Sequence, residues 1–363
     1  MTQAATLAQM GNTNQTFRNR IINGAMVIDQ RNAGASVSAT SPGYTLDRWS
    51  QYANAGSITV QRTTSVVPAG FSYAYSTTVG TANTRNATDY SFLYQIIEGL
   101  NVADLDLGLS TASTVTVSFW VRSSISGLYS GVLASGDNNR TYGFTYTINN
   151  ANTWEQKTVT VAGDTSGGKT AYPIDNTAGL RLKLDLGSGS NYQATANAWT
   201  AATNKVGVSG TVNWAQTVGA TFYITGVQLE AGTTATPFEY RQYGTELALC
   251  QRYYQILFGG PNNTSGADWQ GHAGSVWSGA QVIVSSKFAC PMRSAPTVAL
   301  SSDAAGLVAG TNSTLNWTSS TVFTFYPATQ AVGISVPTGS SFAAGTAAHV
   351  DCNAGRIYAN AEL

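Results

Sequence analysis

One segment of the sequence matches a phosphate-binding pattern. Gly163-Asp-Thr-Ser-Gly-Gly-Lys-Thr170 has the spacing of a P-loop, in which backbone amides surround phosphates and a lysine contacts the terminal ones. A P-loop requires a helix directly after it, whose N-terminus supplies amides and a favourable dipole. Here Pro173 follows closely and would break such a helix. We therefore interpret the segment as a glycine-rich loop between strands, and we predict no cofactor.

Side chains suited to nucleophilic or metal-assisted catalysis are few. The sequence has 2 histidines, and no G-x-S-x-G pattern marks a nucleophile. The 3 cysteines, Cys250, Cys290 and Cys352, are too widely spaced for a zinc cluster or a disulfide framework, so buried free thiols and no metal site are expected.

A glycosidase would need only two carboxylates at a suitable separation. Candidates for such a pair are Glu98, Asp104, Asp106 and Asp185. Asp185 falls in the middle of an alternating strand pattern, and Asp104 and Asp106 flank Leu105 in a turn-like segment. We interpret these carboxylates as solvated charges and predict that the protein is not an enzyme and has no catalytic residues.

Aromatic residues with a polar group are abundant, since 8 Trp and 18 Tyr accompany 12 Phe. Sugar recognition uses flat rings for the C–H face of a sugar, together with nearby amides and hydroxyls. The candidate glycan-binding residues lie in or beside polar loops: Trp199, Trp214, Trp269, His272 and Trp277. Packing within the core or within a loop is the alternative for each of them.

The composition favours a β-rich architecture with few charges. Charged residues make up 10% of the 363 residues, and 37 residues are glycine. Because 18 basic and 18 acidic residues cancel, no basic surface favours nucleic acid as a partner. The start of the sequence lacks the features of a signal peptide, and no apolar run is long enough for membrane insertion.

Alternating apolar and polar residues predict strands throughout the first two thirds of the chain. Val115 to Val121, Tyr142 to Ile148 and Leu180 to Leu186 each place apolar side chains on one face. The segment from Phe17 to Arg31 is predicted to form strand, turn and strand around Asn23-Gly24. About eight strands without crossover helices indicate an antiparallel sandwich, and the long loops favour a jelly roll.

A change of period marks the end of this domain. After a strand from Thr221 to Glu230, residues spaced three and four apart predict one helical face: Tyr240, Tyr243, Leu247, Cys250, Tyr254 and Leu257. Such a helix could cap the β domain, or it could pack against copies of itself on a symmetry axis. Strand patterns then resume at Ala280 to Phe288, Thr297 to Leu300, Val322 to Tyr326, Val332 to Val336 and Ile357 to Leu363.

Four regions are therefore expected. Residues 1–16 form a disordered tail or an N-terminal arm that orders on a partner, and residues 17–232 form the jelly roll. Residues 233–258 form a hinge and a short linking helix, and residues 259–363 form a second, smaller β-sandwich domain. The predicted fold class is thus all-β.

Several segments together resemble tail-fibre and related virion proteins of tailed bacteriophages. They are FRNRIINGAMVIDQRN from Phe17, TLDRW from Thr45, NTWEQKTVTVAGD from Asn152, FYITGVQLEAGTTATPFEYR from Phe222 and ELALCQRYY from Glu246. FACPMRSAPTV from Phe288 extends the likeness weakly. Trp154 before a core strand and the V-x-L-E-x-G ending at Gly232 also resemble jelly-roll carbohydrate-binding modules.

The resemblance implies a virion structural protein, made in the host cytoplasm and assembled as a homotrimer. Its N-terminal arm would contact other virion proteins, and its distal domain would face the host. The predicted function is that of a tail or head fibre mediating host attachment by receptor binding to cell-surface carbohydrate. A capsid decoration or baseplate protein without a ligand is one alternative, and a polysaccharide depolymerase is another.

Overall fold

The computed structural model describes residues 17–39, 43–259, 272–278, 281–300, 307–311, 314–320, 324–337, 347–352 and 356–363. These residues form two compact units. Unit 1 contains the described residues up to Val27 and those of Gly34–Gln242, and unit 2 contains Ile28–Ala33 and the described residues of Tyr243–Leu363. Each unit has its own core of buried apolar side chains.

Unit 1 consists mainly of short strands. They are β1 (Val37–Ser38), β2 (Tyr44–Leu46), β3 (Trp49–Ala53), β4 (Ser57–Thr63), β5 (Ala74–Thr81), β6 (Ser91–Glu98), β7 (Val115–Ser123), β8 (Gly127–Ser135), β9 (Thr141–Ile148), β10 (Glu155–Val161), β11 (Ala178–Asp185), β12 (Gln193–Ala194), β13 (Trp199–Thr200), β14 (Gly207–Val208) and β15 (Thr221–Ala231). A helix, α1 (Gly168–Ala171), and four 3-10 turns accompany them, at Gly99–Asn101, Ala103–Leu105, Ser190–Tyr192 and Trp214–Gln216.

The strands of unit 1 form two large sheets. Sheet 1 has the order β1-β4-β5-β15-β7-β10, and sheet 2 has the order β13-β9-β8-β11-β6-β3-β2. Every strand pair within them is antiparallel, whereas β12 and β14 form a separate parallel pair. The chain passes repeatedly from one sheet to the other, as in a jelly roll. The predicted all-β antiparallel jelly-roll sandwich is confirmed.

Alternation along each strand divides sheet 2 into a core face and an outer face. On β11, Leu180, Leu182 and Leu184 are fully buried in the core that sheet 1 shares. Burying such a side chain contributes roughly 1.5 to 3 kcal/mol to stability. Because successive side chains of a strand point to opposite faces, Arg181 and Lys183 lie on the outer face.

The first described segment, residues 17–31, contains no strand, so the predicted strand–turn–strand is wrong. Asn23 and Met26 both have a φ of 58°, in the left-handed region, and the Met26 amide donates to the Asn23 carbonyl at 3.1 Å. The turn therefore lies at the expected Asn23-Gly24, but its flanks do not pair with each other as strands.

The Asn19 side chain takes the place of strand pairing in this segment. Its Oδ1 accepts hydrogen bonds from the amides of Ile21 (3.0 Å) and Leu229 (3.1 Å), and its Nδ2 donates to the Val227 carbonyl at 3.1 Å. Val227 lies at an irregularity in β15, where the register with β7 shifts between Thr225 and Gln228. The asparagine thus satisfies backbone groups of β15 beyond Ile224, where the pairing of this strand with β5 ends.

A second set of hydrogen bonds joins the same segment to the residues that follow β15. The Glu239 carboxylate accepts from the amides of Phe17 (2.8 Å) and Asn19 (3.0 Å). The Gln228 Oε1 accepts from the Glu239 amide at 2.9 Å. Residues 233–242 are therefore part of unit 1, and their hydrogen bonds join the last residues of this unit to its first described residues.

Unit 2 begins with a helix and is otherwise built of strands. They are α2 (Tyr243–Gln251), β16 (Tyr254–Gly259), β17 (His272–Ser278), β18 (Gln281–Lys287), β19 (Thr297–Leu300), β20 (Leu307–Thr311), β21 (Thr314–Ser320), β22 (Thr324–Pro327), β23 (Ala331–Pro337), β24 (Ala347–Cys352) and β25 (Arg356–Asn360). One sheet has the order β16-β25-β19, and the other has the order β21-β20-β24-β17-β18-β23-β22. The predicted second, smaller β domain is confirmed.

The expected helix from Tyr240 to Leu257 is wrong, because α2 ends at Gln251. Tyr254 begins β16, which pairs antiparallel with β25, and Leu257 lies in that strand and packs against the core of unit 2. Aromatic and β-branched residues favour this strand over a continued helix.

The six residues of the predicted seam therefore do not share one helical face. Tyr240 precedes the helix, and its hydroxyl donates to the Gly70 carbonyl at 2.9 Å in unit 1. Cys250 is fully buried, whereas Tyr243 is exposed and Leu247 is half-buried. Of this set, only Tyr243, Leu247 and Cys250 lie on α2. The six residues therefore do not form the single helical face on which a symmetry axis was expected. Oligomerisation itself stays a prediction.

Replacing Asn19 by alanine should destabilise unit 1. The change leaves the buried Leu229 amide and the Val227 carbonyl without their partner, at a cost of roughly 2 to 4 kcal/mol for the two groups. Calorimetric unfolding would measure this loss. Asn150→Ala, at an exposed loop position, is the control and should change stability by about 0.5 kcal/mol or less. Equal effects of the two variants would contradict the role assigned to Asn19.

Candidate functional site

The outer face of sheet 2 carries aromatic side chains beside a lysine. Tyr52 of β3 pairs directly with Phe92 of β6, and Tyr94 of β6 pairs with Lys183 of β11. Since Leu93 between the two β6 aromatics is fully buried in the core, Phe92 and Tyr94 project from the opposite face. Antiparallel register thus gathers these residues from three strands.

A segment comprising residues 188–211, the cover segment, lies over part of this outer face. Its Val208 amide donates to the hydroxyl oxygen of Ser130 on β8 at 3.0 Å. Arg85 donates to the carbonyls of Ser188 (2.7 Å) and Thr211 (2.8 Å), at the two ends of the segment. These bonds fix the position of the cover segment against the sheet.

A cavity of about 230 Å³ lies between the cover segment and the outer face. Its lining residues are Tyr52, Tyr90, Phe92, Asn138, Lys183, Tyr192, Asn204 and Val206. The four aromatic residues are half-buried, so each keeps part of its ring accessible. The cavity therefore combines an aromatic wall with amide and ammonium groups.

The aromatic wall is held by edge-to-face contacts. The Tyr90 ring centroid lies 5.1 Å from that of Tyr52 and 4.9 Å from that of Tyr192, both pairs being T-shaped. The Tyr90 and Phe92 centroids are 5.8 Å apart. Edge-to-face pairs of this kind contribute roughly 0.5 to 1.5 kcal/mol beyond the area they bury. Burial raises the pKa of Tyr90 above its ordinary value, and the neighbouring Tyr52 adds to the rise, so the Tyr90 hydroxyl stays protonated.

Fixed polar groups also line the cavity. The Lys183 ammonium donates to Asn138 Oδ1 at 2.8 Å and to the Lys205 carbonyl at 2.9 Å. Asn138 in turn donates through its Nδ2 to Asn204 Oδ1. Both asparagines adopt positive φ, near 60° and 57°, a conformation that asparagine tolerates better than most residues. The polar side is therefore preorganised before any ligand binds.

Burial weakens the basicity of the lysine. Lys183 is only 5% exposed. Removal from solvent, and next the neighbouring positive charge of Arg181, lowers the pKa of Lys183 to about 7. The Lys183 ammonium therefore loses its proton at a lower pH than the ammonium of an exposed lysine. This result is expected when a cation is removed from water without gaining an anion as a partner.

The carboxylates considered for hydrolysis do not form a pair in this cavity. Asp185 is buried beneath Gly207 of the cover segment and accepts from Ser188 Oγ at 2.7 Å and from the Gly187 amide at 3.0 Å. Burial raises the pKa of the Asp185 carboxyl despite these bonds. Glu98 is also buried, so the interpretation of Asp185 and Glu98 as solvated charges is wrong.

The two remaining carboxylate candidates fit the solvated interpretation better. Asp104 is mostly exposed and forms a salt bridge with Arg20. Asp106 has a left-handed backbone and accepts from the Thr111 hydroxyl at 3.0 Å. None of the four carboxylates lines the cavity.

The tryptophans predicted to bind glycan lie elsewhere. Trp214 is fully buried and packs against Phe222 of the core, so its assignment to a ligand site is wrong. Trp199 packs against Tyr142, and its indole nitrogen donates to the Ala162 carbonyl at 2.7 Å. Trp199 lies in the cover segment but does not line the cavity.

The other three predicted positions belong to unit 2. Trp269 lies outside the described residues. His272 and Trp277 stand at either end of β17, and their side chains lie outside what the structure describes. A contribution of these residues to glycan binding stays a prediction.

The segment with P-loop spacing has a structural role. Asp164, which is buried, forms a two-pronged salt bridge with Arg140 and accepts from the Tyr172 hydroxyl at 2.8 Å. The helix α1 begins inside the segment at Gly168, has only four residues and ends before Pro173. The preceding strand, β10, is antiparallel to β7. The segment therefore joins antiparallel strands of the sandwich, and its single helical turn ends before the proline, as predicted.

Sequence reasoning missed the cavity, although part of its signal was visible. Tyr90, Phe92 and Tyr94 alternate with core residues, so three aromatics follow one another on the face turned away from the core. The face of a sheet that is turned to solvent normally carries charged or hydroxyl side chains at such positions. Nothing in the sequence brings Asn138 and Tyr192 to this strand, since turns and the cover segment place them.

Two further properties concern membranes and metals. None of the helices in the described part of the chain has the length and apolar character that a bilayer crossing requires. Within the same residues, no three His, Cys, Asp or Glu side chains converge in a way that could hold a metal ion.

No protein family matches the chain, and no curated protein matches it. Among solved structures, the enzymatically active domain of bacteriophage CBA120 tailspike protein 4 is 13% identical, with a TM-score of 0.34, over 59% of this chain and 22% of that chain. TmCBM61, solved with β-1,4-galactotriose, is 12% identical over 59% of this chain and 99% of that chain, with a TM-score of 0.30. The family 11 carbohydrate-binding module of Clostridium thermocellum, solved with a mixed-linked tetrasaccharide, is 11% identical over 55% of this chain and 98% of that chain, with a TM-score of 0.27.

Replacing Lys183 by methionine should change how stability depends on pH. In the unfolded chain the lysine keeps its ordinary pKa of 10.5, whereas the folded pKa is about 7. Between these values the unfolded state binds a proton that the folded state lacks, so this lysine makes stability rise with pH, by at most about 1.4 kcal/mol per pH unit. Its destabilising effect is complete below the folded pKa and vanishes above the unfolded one.

Urea unfolding of both proteins at about pH 6.5 and about pH 9.5 tests this expectation. The wild type should gain stability relative to Lys183→Met as the pH rises. Lys169→Met, outside the cavity, is the control and should follow the wild type. A stability difference between wild type and Lys183→Met that does not change with pH would contradict the assigned environment of Lys183.

Proposed function

We propose that unit 1 binds carbohydrate in the cavity between the cover segment and sheet 2. The observation that carries this proposal is that one cavity combines the aromatic wall of Tyr52, Tyr90, Phe92 and Tyr192 with the fixed polar groups of Asn138 and Lys183. A sugar ring has an apolar C–H face and a rim of hydroxyl groups. Accessible ring surfaces suit the former, and preorganised amide, ammonium and phenol groups suit the latter.

Binding without catalysis is part of the proposal. Glycoside hydrolysis needs two carboxyl groups flanking the scissile bond. The residues that line the cavity include tyrosine, phenylalanine, asparagine, lysine and valine but no carboxylate. We therefore propose a binding protein, and not a depolymerase, for this site.

On the level of the whole protein, we propose a phage virion structural protein, a tail or head fibre that attaches the particle to host surface glycan. The segments that resemble phage fibre proteins support this role, and so does a composition with 10% charged residues and no net charge. In this proposal the chain is made in the host cytoplasm, assembles as a homotrimer and joins other virion proteins through residues 1–16.

Loss of the aromatic wall should weaken glycan binding. The full-length protein and Tyr90→Ala would be applied to an array of bacterial capsular and O-chain polysaccharides. Tyr90 contacts both Tyr52 and Tyr192, so its truncation should reduce affinity roughly tenfold or more, as for an aromatic residue at the centre of a binding surface.

Tyr223→Ala is the matched control, because Tyr223 is a half-buried tyrosine of β15 outside the cavity. This variant should bind as the wild type does. The absence of binding to every polysaccharide, or equal losses in the two variants, would overturn glycan binding at this site.

The proposed assembly has a direct test in the mass of the protein in solution. Sedimentation equilibrium of the full-length chain should give three times the mass of one chain. A monomer at all concentrations would contradict the homotrimer and weaken the fibre role, without bearing on glycan binding by unit 1.

A further inference from the structure

Resting on the proposed function, we infer that the cavity of unit 1 takes an acidic sugar whose carboxylate pairs with the ammonium of Lys183. The aromatic wall would hold the ring of the sugar, and the lysine would select for its charge. The ligand class is thus a hexuronate or a similar carboxylated sugar within a longer glycan.

The charge of Lys183 is not balanced by an anion in the described part of the protein. Its two hydrogen-bond acceptors, Asn138 Oδ1 and the Lys205 carbonyl, are both neutral. Among the salt bridges formed by the described residues, none includes Lys183. An ammonium has three donors, so one N–H remains for a ligand.

A second cation lies beside the first. Arg181 stands two residues before Lys183 on the same face of β11, and its guanidinium donates to the neutral Gly136 carbonyl at 2.9 and 3.0 Å. The positive charge of Arg181 disfavours the charged form of Lys183. A carboxylate in the cavity would offset both the lost hydration and this repulsion.

The neighbouring carboxylate does not serve as a counter-ion for the lysine. Asp185, two residues further along β11, is bonded to Ser188, to the Gly187 amide and to Ser130, and lies 4.0 Å from Arg85. Its Oδ1 accepts from Gly187 and Ser188, and its Oδ2 accepts from Ser130. Asp137 acts on the charge of Arg181, but no carboxylate among the described residues lines the cavity, so the ammonium of Lys183 faces no anion there.

The geometry also brings charge recognition and ring recognition together. The Lys183 Nζ lies 5.8 Å from the centroid of Phe92, which belongs to the aromatic wall. A sugar stacked on that wall therefore has its substituents within a few ångströms of the ammonium. A carboxylate there would form a charge-assisted hydrogen bond, which is stronger than a neutral one.

The competing explanation is that Lys183 only fastens the cover segment through the Lys205 carbonyl. That role predicts a loss of stability on substitution, but it predicts no preference between acidic and neutral sugars. Discrimination between matched ligands therefore separates the two explanations.

The experiment uses the full-length protein with tetragalacturonate and tetraglucuronate, and with the same two chains after reduction of every carboxylate to a neutral hydroxymethyl group. Isothermal titration would compare wild type, Lys183→Gln and the charge-matched control Lys169→Gln. For the acidic chains we expect the wild type and the control to bind on the order of 10- to 100-fold more tightly than Lys183→Gln, as for loss of a hydrogen bond to a charged group. The neutral chains should bind all three proteins alike.

Several outcomes would overturn the inference. They are equal affinity of the wild type for acidic and neutral chains, an unchanged acidic preference in Lys183→Gln, and a failure of the acidic chains to bind. Binding of the neutral chains that is lost in Tyr90→Ala would, in the first and third cases, leave glycan binding intact while removing the acidic selectivity. A Lys183→Gln protein that fails to fold is recognised by circular dichroism, and Lys183→Met then takes its place.

Discussion

The register of β6 between β3 and β11 is the constraint on which both the core and the cavity depend. In this register Leu93 and Leu182 point into the sandwich, while Phe92 and Lys183 point away from it. A shift of one residue would exchange the two faces, burying a lysine in the core and exposing leucines. The apolar pattern that stabilises the fold therefore also fixes which side chains meet on the outer face.

The segments that resemble phage fibre proteins contribute mainly to the framework of unit 1. Asn19 forms hydrogen bonds with backbone groups of β15, and Gln228 accepts from the Glu239 amide. The Glu239 carboxylate accepts from three successive amides at the start of the described chain. The carboxylate of Glu230 is equally occupied, accepting from the amide and hydroxyl of Thr236. These polar residues close the two ends of the unit, and none of them lines the cavity. Recognisable motifs and the binding surface are thus different parts of the molecule.

The strands were predictable because alternation is a local property. β7, β9 and β11 follow directly from it, and so does the absence of crossover helices. The structure of residues 17–31 is not predictable in this way, since side-chain hydrogen bonds from Asn19 replace the strand pairing that the apolar residues of this segment suggest. The helix was extended too far because the spacing of Tyr254 and Leu257 fits a helix and a strand alike, and pairing with β25 decides between them.

The site was less accessible to sequence reasoning than the fold. Its residues come from β3, β6, β11, the turn after β8 and the cover segment, which are far apart in the chain. The sequence favours tryptophans as ligand-binding residues because they are flat rings with a polar group in or beside polar loops. In the structure, however, Trp214 is buried in the core and Trp199 donates a hydrogen bond to a loop carbonyl. Tyrosine and phenylalanine form the wall instead.

Glycan binding by this wall is the central claim, and a crystal structure of the full-length protein with a bound oligosaccharide tests it most directly. The ligand would be the polysaccharide fragment that binds best in solution. We expect a sugar ring in contact with Tyr90 and Tyr192, with an acidic substituent at Lys183. An oligosaccharide bound only to unit 2, or to a surface of unit 1 outside the cavity, would contradict the claim.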